Sequence, residues 1–390
     1  MSRNKILWLA SWYPNKLAPF NGDFIKRHAE AVSLYEDVQL IYVIRDAKGE
    51  ITKNIHIEET VNKGLAEKII YYYSFSVGLS IIDKFFSELK YRKLFKQAVI
   101  DYTEQSGMPA LVHVHVCMKA GIIARWWKKK RKVPYIISEH WTGFLPEADD
   151  AISDKSFYFR SLWKKIITGA SAFSTVSAYL SNAIKKQFDL PIVSVIPNVV
   201  NTSIFYPPTV STTYLRFIHI SSLESFKNPT AIIMALAIVI RVYPSAVLDV
   251  FGPDDKHLKA LAYKMGVEKN IYFHTEIPQL QLAEYMRQSM ALILYSKYET
   301  FGCVIAEANA CGIPVIVSDI PVFHETVMEG INGIFAKAND PQVLAARMIE
   351  IIKDRASFNT ENIIAQSSRY SYEKVGKQFS DWYGEILSKI

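Results

Sequence analysis

Short apolar runs alternate along the chain with longer segments in which apolar residues recur at helical spacing. This alternation is typical of β-α-β units, in which helices connect the strands of a parallel sheet. The apolar runs of the first half predict the strands Ile6–Ala10, Gln39–Val43, Leu111–Val116, Tyr135–Ser138, Ala172–Val176 and Val193–Ile196. Those of the second half predict the strands Leu215–Ile220, Ala246–Phe251, Asn270–His274, Ala291–Tyr295 and Val315–Ser318. The last segment, Tyr372–Leu387, has the apolar spacing of a helix.

A Pro-rich polar stretch separates the two series of strands. It contains Ile196-Pro197-Asn198 and then the segment Phe205–Thr209, and such stretches are typical of linkers between domains. The pattern therefore predicts an α/β protein with two doubly wound domains and a cleft between them. In such sheets, ligands bind beyond the carboxyl ends of the strands, where the strand order reverses. The loops that follow strands are therefore the places where functional residues are expected.

The composition is that of a globular protein. Of the 390 residues, 50% are hydrophobic and 21% are charged, which excludes a disordered chain. Three cysteines without a C-x-x-C pair exclude a disulfide scaffold and a structural zinc site. The longest apolar run, Ala231–Ile240, has about half of the ~20 residues that span a bilayer. The first apolar run is too short for a signal peptide, so the protein is predicted to be cytoplasmic.

The segment 295–319 has the features of a strand-loop-helix unit that binds phosphate. A helix is predicted from about Cys303 to Ala310. Its N-terminus offers the backbone N–H groups of Phe301, Gly302 and Cys303, together with the positive end of the helix dipole. Gly302 allows a ligand to approach the backbone closely. An anionic ligand agrees with the net charge of +7.

Two carboxylates, Glu299 and Glu307, flank this predicted anion site with seven residues between them. They would repel a phosphate, but they can accept hydrogen bonds from hydroxyl groups. A nucleotide sugar has hydroxyl groups on both sides of its pyrophosphate, so the pair favours such a ligand. Taken singly, Glu299 can also be an ordinary loop carboxylate and Glu307 a solvated helix residue.

These residues resemble the signature of a known family. The spacing of Glu299 and Glu307, with Phe301-Gly302 between them, is similar to that of the retaining glycosyltransferases of family 4, also called group 1 glycosyltransferases. The resemblance extends over nearly the whole chain through Val195–Phe205, Ser221–Asn228, Phe251-Gly252-Pro253 and Gly330–Gly333. It implies the glycosyltransferase B fold, with two facing Rossmann-like domains and an inter-domain cleft. The implied acceptor domain is 1–198, the nucleotide-sugar domain is 199–370, and a helix at 371–390 returns to the first domain.

The resemblance also implies roles for residues of the second domain. Glu299 would bind hydroxyl groups of the donor sugar, and Glu307 those of the ribose. Lys227 would neutralise the pyrophosphate and stabilise it as it departs. Ser222 stands where the family commonly has an arginine, and Lys297 is a candidate for supplying the missing positive charge. Neither a metal nor another cofactor is expected, because protein cations and helix N-termini do this work in the family.

In the first domain, the resemblance assigns the loop at Asn21 and Gly22 to the opposite side of the pyrophosphate. His140 is expected to contact the donor sugar and His115 to line the cleft, since His115 ends a predicted strand and His140 follows one. Asn198 and Gly252 are further residues expected to line the cleft. A single histidine at a strand end is more often a satisfied core residue, and Asn-Gly by itself is a turn signal.

The predicted function is the transfer of a sugar from a nucleoside diphosphate sugar to a glycan or a lipid-linked acceptor, with retention of anomeric configuration. Such a family member would act in the synthesis of a bacterial envelope, capsule or exopolysaccharide. An alternative is a sugar-nucleotide epimerase or phosphorylase on the same scaffold. Another is a non-catalytic protein that binds an anionic ligand. A nucleic-acid partner is not expected, because no nucleic-acid-binding signature accompanies the basic stretch Ile123–Lys132.

Two segments of the first domain suggest a membrane surface as a further partner. The segment Ile81–Lys96 mixes Phe, Ile and Leu with cations, and the pair Trp126-Trp127 adjoins the five cations Lys128–Lys132. Aromatic residues beside lysine or arginine suit the headgroup region of an anionic membrane. An amphipathic helix that buries its apolar face in the protein is the alternative.

Overall fold

The computed structural model describes residues 3–74, 80–190, 193–208, 214–337 and 339–389. It divides into two compact units. The first comprises Met1–Val176, Leu180–Val199 and Tyr372–Ile390, and the second comprises Ser177–Tyr179 and Val200–Ser371. The main boundary between the units therefore lies between Val199 and Val200, one residue after the boundary expected between residues 198 and 199.

The first unit is an eight-stranded sheet with helices. Its strands are β1 (Lys5–Ala10), β2 (Asp37–Arg45), β3 (Ile55–Asn62), β4 (Leu65–Tyr72), β5 (Leu111–His115), β6 (Tyr135–Glu139), β7 (Ala172–Thr175) and β8 (Ser194–Val195). Its first helices are α1 (Asp23–Val32), α2 (Ser80–Ser106), α3 (Ala120–Arg131), α4 (Phe157–Ile167) and α5 (Ala178–Phe188). The strand order is β3-β4-β2-β1-β5-β6-β7-β8, and all neighbours are parallel except β3 and β4.

The second unit is a six-stranded parallel sheet with the order β11-β10-β9-β12-β13-β14. Its strands are β9 (Arg216–Ile220), β10 (Val247–Phe251), β11 (Ile271–His274), β12 (Ala291–Leu294), β13 (Val315–Ser318) and β14 (Gly333–Ala336). Its helices are α6 (Pro229–Val239), α7 (Lys256–Lys264), α8 (Gln279–Arg287), α9 (Cys303–Ala310), α10 (Pro341–Asp354) and α11 (Thr360–Ser367). The α/β class predicted from the alternation of apolar runs is confirmed.

The last helix, α12 (Tyr372–Leu387), belongs to the first unit and packs against α1. Its apolar face carries Val375, Phe379, Trp382 and Tyr383 into the same core as β1 and β2. Gly376 sits at the contact with α1: a Cβ built there would lie only 2.2 Å from the carbonyl oxygen of Ala31. The two helices can therefore approach this closely only because position 376 has no side chain.

Three observed strands have no counterpart in the apolar pattern. β3 is an edge strand whose residues are mostly exposed, so its apolar residues do not stand out against polar neighbours. β4 carries Glu67 and Lys68 in its centre and is joined to β3 by the tight turn at Lys63-Gly64, where both residues have positive φ. β14 begins with Gly333 and ends with Ala336, so only its two central residues are large and apolar. Continuous apolar runs mark strands buried on both faces, so a half-exposed strand, or one with few large apolar residues, does not stand out.

Each sheet has a switch point, where two neighbouring strands are connected to helices and strands on opposite sides of the sheet order. In the first sheet this switch lies between β1 and β5, and in the second it lies between β9 and β12. The carboxyl ends of these four strands are where a ligand is expected in sheets of this type. None of the described helices is both long and apolar enough to cross a membrane, and the run Ala231–Ile240 mostly forms α6, which is packed in the core of the second unit.

Candidate functional site

The loops after β9 and β12 lie against each other at the switch point of the second sheet. A single 3₁₀ turn, Ser225–Lys227, follows β9. The amide of Lys297 donates a hydrogen bond of 2.6 Å to the carbonyl of Phe226, and the rings of Phe226 and Tyr298 stack with centroids 4.7 Å apart. These contacts place Lys227 beside the loop that carries Glu299.

Lys227 and Glu299 form an ion pair through Nζ and Oε1. Both side chains are largely buried, with 16% and 8% of their surface exposed. The hydroxyl of Ser296 also reaches Oε1 of Glu299, at 3.4 Å. An ion pair with so little solvent around it interacts more strongly than one on the surface. The structure thus brings together the two residues for which the sequence predicted separate contacts to a donor.

Gly302 sets the entry to α9. It precedes the helix with φ of +80°, a conformation that favours glycine, and a Cβ there would lie 3.0 to 3.1 Å from the side chains of Phe323, Ile305 and Leu294. Phe301 is buried edge-on against the ring of Tyr370. The first amides of a helix have no carbonyl within the helix to bond, so this N-terminus is suited to an anion.

Glu307 lies on α9 and is buried, with 4% of its surface exposed. The interpretation of Glu307 as a solvated helix residue is therefore wrong. Cys303, at the first position of the helix, is half-buried. Burying a carboxylate is costly unless it is paired or hydrogen-bonded, and the buried Glu307 does have an interaction partner in the structure.

The other predicted residues of this unit differ in their surroundings. Ser222 is exposed and donates a hydrogen bond of 2.8 Å to Glu224. The side chain of Lys297 is exposed, although its backbone is held against Phe226. Gly252 is buried, and a Cβ there would lie 2.5 Å from the carbonyl oxygen of Ser221, so it permits the loops after β9 and β10 to touch.

Sequence reasoning gave His219 no role, yet it organises the loop after β9. Its Nδ1 lies 2.9 Å from the carbonyl of Ile293 on β12, and its Nε2 lies 2.8 Å from the hydroxyl of Ser221. Burial, with a smaller contribution from Lys227, lowers the pKa of His219 to about 4. The neutral ring therefore connects β12 to the start of the loop that carries Lys227. The only sequence signal is its position near the end of β9.

At the first sheet, the loop after β1 leads into α1 through Gly22. Gly22 has φ of +67°, and a Cβ there would lie 2.9 Å from the backbone of Trp12. Asn21 is half-buried and its side chain is hydrogen-bonded to Tyr42. The glycine is thus required by the backbone of this turn, which brings the N-terminus of α1 next to the end of β1.

The ends of β5 and β6 are held together by Glu139, which sequence reasoning also left without a role. Its buried carboxylate accepts hydrogen bonds from the amides of Cys117, His140 and Trp141, at 2.9 to 3.0 Å. Burial raises the pKa of Glu139, while these three amides act in the opposite direction. A carboxylate at the end of an otherwise apolar strand is the sequence signal that marks Glu139.

His115 and His140 lie at this edge, together with His28 from α1. All three rings are buried, and one nitrogen of each lies within 4.8 Å of one nitrogen of the other two. Burial is the main reason that the pKa of each lies far below its usual value, with that of His28 at about 3. Asn198 is buried close to His140 but outside hydrogen-bond geometry. The sequence predicted two members of this group and missed His28.

Residues 204–374 match the family model described as Glycosyl transferases group 1, and residues 76–204 match the one described as Glycosyltransferase Family 4. The two matches together span residues 76–374. The chain belongs to the group 1 glycosyltransferases.

Individual relatives are distant. A D-inositol 3-phosphate glycosyltransferase from Thermobispora bispora is 24% identical over 220 residues, which are 51% of this chain and 51% of that protein. The chain thus spans about half the length of this curated relative.

Solved structures match nearly the whole chain in fold. Sucrose-phosphate synthase from Thermosynechococcus elongatus superposes with a TM-score of 0.77 over 100% of both chains at 16% identity. Anabaena HepE, solved in complex with UDP and glucose, gives a TM-score of 0.72 over 98% of this chain and 100% of its own at 17% identity. The glycosyltransferase B fold expected from the sequence resemblance is confirmed.

The two family models divide the site residues of this group 1 glycosyltransferase. Lys227, Glu299 and Glu307 lie in the part that matches the group 1 model. His115 and His140 lie in the part that matches the Family 4 model, whereas His28 precedes both matches. The group 1 segment therefore carries the ion pair and the helix N-terminus.

Proposed function

We propose that the protein transfers a sugar from a nucleoside diphosphate sugar to an acceptor with retention of anomeric configuration. The observation that carries this proposal is the buried pair Lys227–Glu299 beside the glycine-started helix α9. A cation and a helix N-terminus suit a pyrophosphate, and a neighbouring carboxylate suits sugar hydroxyls. HepE, which shares the fold, has been solved with UDP and glucose bound.

The reaction needs stabilisation of separated charges. The anomeric carbon becomes positive as its bond to the phosphate oxygen breaks, and the departing pyrophosphate becomes more negative. Lys227 and the amides at the start of α9 are fixed positive groups that favour this developing charge. When the donor enters, Glu299 exchanges part of its contact with Lys227 for a hydroxyl of the sugar. Glu307 accepts hydrogen bonds from the ribose.

Retention follows if the acceptor attacks the face that the phosphate leaves. The departing phosphate oxygen then takes the proton of the acceptor hydroxyl, and no carboxylate nucleophile is needed. His140 contacts the donor sugar, and Asn21 and Gly22 contribute the loop at the end of β1. The buried His115 and Asn198 lie next to His140 and support it from within the first unit. Neither a metal nor another cofactor takes part in the transfer.

Product stereochemistry tests this proposal. A donor is first found by screening nucleoside diphosphate sugars for thermal stabilisation, since a donor at about 100 times its dissociation constant adds about 2.7 kcal/mol of stability. The donor is then turned over with an acceptor, and the anomeric proton of the product is followed by NMR. We expect the anomer of the donor to be retained. An inverted product contradicts the mechanism, and conversion of the donor without any acceptor favours the epimerase or phosphorylase alternative.

We further propose a lipid-linked acceptor at the inner face of the plasma membrane, in bacterial polysaccharide assembly. The predicted contact through Trp127 is wrong, because this residue is fully buried. Better support comes from exposed apolar residues of the first unit, namely Ile81, Phe85, Phe86 and Leu89 on α2 and Phe157, Tyr158 and Phe159 on α4. Between these helices in sequence, α3 ends in the exposed cations Lys129, Lys130, Arg131 and Lys132. Exposed aromatic residues beside cations suit an anionic bilayer surface.

Vesicle binding tests the membrane proposal. Changing Ile81, Phe85 and Phe86 to serine, or residues 129–132 to glutamine, should release the protein from anionic vesicles in co-sedimentation. Lys128 is left unchanged because its amine donates a hydrogen bond to the carbonyl of Gly169. Tyr263→Ser, which removes an aromatic residue equally exposed on α7, serves as the control. Undiminished co-sedimentation of both variants, with donor binding intact, argues for a soluble acceptor.

A further inference from the structure

The buried histidines His28, His115 and His140 come from three different elements of the first unit. His28 lies on α1, His115 ends β5, and His140 follows β6 directly. Five of their six ring nitrogens have no hydrogen-bond partner: Nδ1 of His28 and both nitrogens of His115 and His140. A buried polar atom without a partner is destabilising, because it has given up its hydrogen bonds to water. A cluster of five such atoms therefore needs an explanation.

Burial in a core does not explain it, because other buried histidines of this protein are satisfied. His113 lies next to His115, with ring centroids 4.0 Å apart. Its Nδ1 is 2.7 Å from the hydroxyl of Tyr383 and its Nε2 is 2.7 Å from that of Ser138. His219 in the second unit also has a partner at each nitrogen. The three clustered rings differ in that five of their nitrogens lack a partner while one nitrogen of each ring lies within 4.8 Å of one nitrogen of the other two.

His28 shows which atom is available. Its Nε2 lies 3.1 Å from the carbonyl oxygen of Pro197, so this nitrogen carries the proton and donates. Nδ1 of His28 then carries no proton and has a free lone pair, and this nitrogen has no hydrogen-bond partner. A metal-bound histidine usually has this arrangement, with its second nitrogen donating to a backbone carbonyl. The neutral imidazole, with one lone pair on its ring, is the form that binds a metal ion.

The spacing of the rings also suits one small ion. For three imidazoles on a tetrahedral ion at bond lengths of about 2.0–2.1 Å, the ring centroids are about 5 Å apart. The observed separations are 5.6 Å between His28 and His140, 6.0 Å between His115 and His140, and 6.3 Å between His28 and His115. Side-chain rotations that draw each ring inward by less than about 1 Å would close the site.

We propose that His28, His115 and His140 form a binding site for a divalent transition-metal ion of the zinc class. Three imidazoles without a thiolate or a carboxylate suit Zn²⁺, Co²⁺ or Ni²⁺ rather than Mg²⁺ or Ca²⁺. The nearest carboxylate in sequence, that of Glu139, is occupied by three amides. His140 is the only one of the three with any exposed surface, 6%, so the ion enters past His140 and its fourth position faces the solvent side.

Metal binding at this site would regulate transfer rather than support it. This second step rests on the proposed function, in which His140 contacts the donor sugar. An ion that holds the lone pair of His140 removes that contact. Zn²⁺ is therefore expected to inhibit transfer reversibly, and a chelator is expected to restore it.

The site is tested with the metal alone. Chelator-treated full-length protein is titrated with Co²⁺, whose visible absorption reports four-coordinate geometry, and with Zn²⁺ by calorimetry. We expect one ion to bind per chain. His28→Gln and His115→Gln should each lower the affinity for the ion by more than the 10–100-fold that loss of an outer-shell partner typically causes. His257→Gln and His324→Gln remove exposed histidines and should leave the Co²⁺ spectrum unchanged.

Each outcome decides the proposal. Circular dichroism checks that the variants fold, and His140→Gln, on another element, replaces any variant that does not. Binding that is absent from the wild type, or that survives replacement of the clustered histidines, overturns the site. Because no nucleotide sugar is present, failure of the proposed transferase activity leaves this test unaffected. A bound ion without inhibition of an active transferase overturns only the regulatory step.

Discussion

Replacing Lys227 by methionine should lower kcat/KM for sugar transfer by about 10²- to 10³-fold, the usual loss when one fixed group that stabilises a developing negative charge is removed. Lys227 is the largely buried cation of the loop after β9, paired with Glu299 in the loop that leads to α9. Its amine is poorly solvated, so its attraction for a departing pyrophosphate is little screened by water. Initial rates over a range of donor concentrations measure the effect.

The loss must be separated from a loss of stability, because removing Lys227 leaves Glu299 buried and unpaired. Breaking a buried ion pair in this way typically costs about 3–5 kcal/mol. The double variant Lys227→Met with Glu299→Gln removes both charges and should recover most of the thermal stability while transfer stays slow. Lys264→Met, which removes an exposed cation from α7, should leave the rate unchanged. Full activity in a folded Lys227→Met protein would contradict the role of this residue.

Lys297→Met addresses the missing family arginine in the same assay. The exposed side chain of Lys297 contributes little to the charge balance around Lys227 unless a bound donor draws it in. A loss of rate in Lys297→Met comparable to that in Lys227→Met would show that Lys297 supplies the positive charge that Ser222 lacks. A small effect would mean that Lys227 and the start of α9 suffice.

The part of the site in the second unit could be predicted because its residues are close in sequence. Glu299, Gly302 and Glu307 follow one strand and open one helix, so local rules for strand ends, helix starts and glycine determine where they lie. The observed α9, Cys303–Ala310, has the predicted bounds. The pairing of Glu299 with Lys227 depends instead on which strands are neighbours in the sheet. The loops that carry these two residues follow β12 and β9, which are far apart in the chain but adjacent in the sheet.

His28 could not be found in this way. It lies in an ordinary amphipathic helix, and a histidine there carries no signal of its own until α1 packs over the ends of β5 and β6. Trp127 shows the opposite error: its place before five cations suggested a membrane contact, whereas the helix turns this ring into the core and leaves the cations outside. Neighbours in sequence on a helix point in different directions, and only the packing decides which of them is buried.

Two glycines of α12 should respond to alanine with opposite signs. At Gly376, a new Cβ meets the carbonyl oxygen of Ala31 at 2.2 Å, so α12 must move away from α1. Overpacking of this kind typically costs about 1–3 kcal/mol, which in a unit of this size lowers the midpoint of thermal unfolding by about 2–4 °C for each kcal/mol. At Gly384, nothing lies within 4 Å of a new Cβ, and the residue is exposed.

Gly384→Ala is therefore the matched control for Gly376→Ala, because both replace glycine inside the same helix. Alanine at an unobstructed helical position typically stabilises by about 0.5–1 kcal/mol, so Gly384→Ala should raise the midpoint by a few degrees. Differential scanning calorimetry of the two variants separates helix propensity, which both share, from the contact with α1, which only position 376 makes. Equal midpoints for the two variants would mean that the packing of α12 on α1 does not require a glycine at position 376. A drop confined to Gly376→Ala would show that the close approach of these two helices stabilises the first unit.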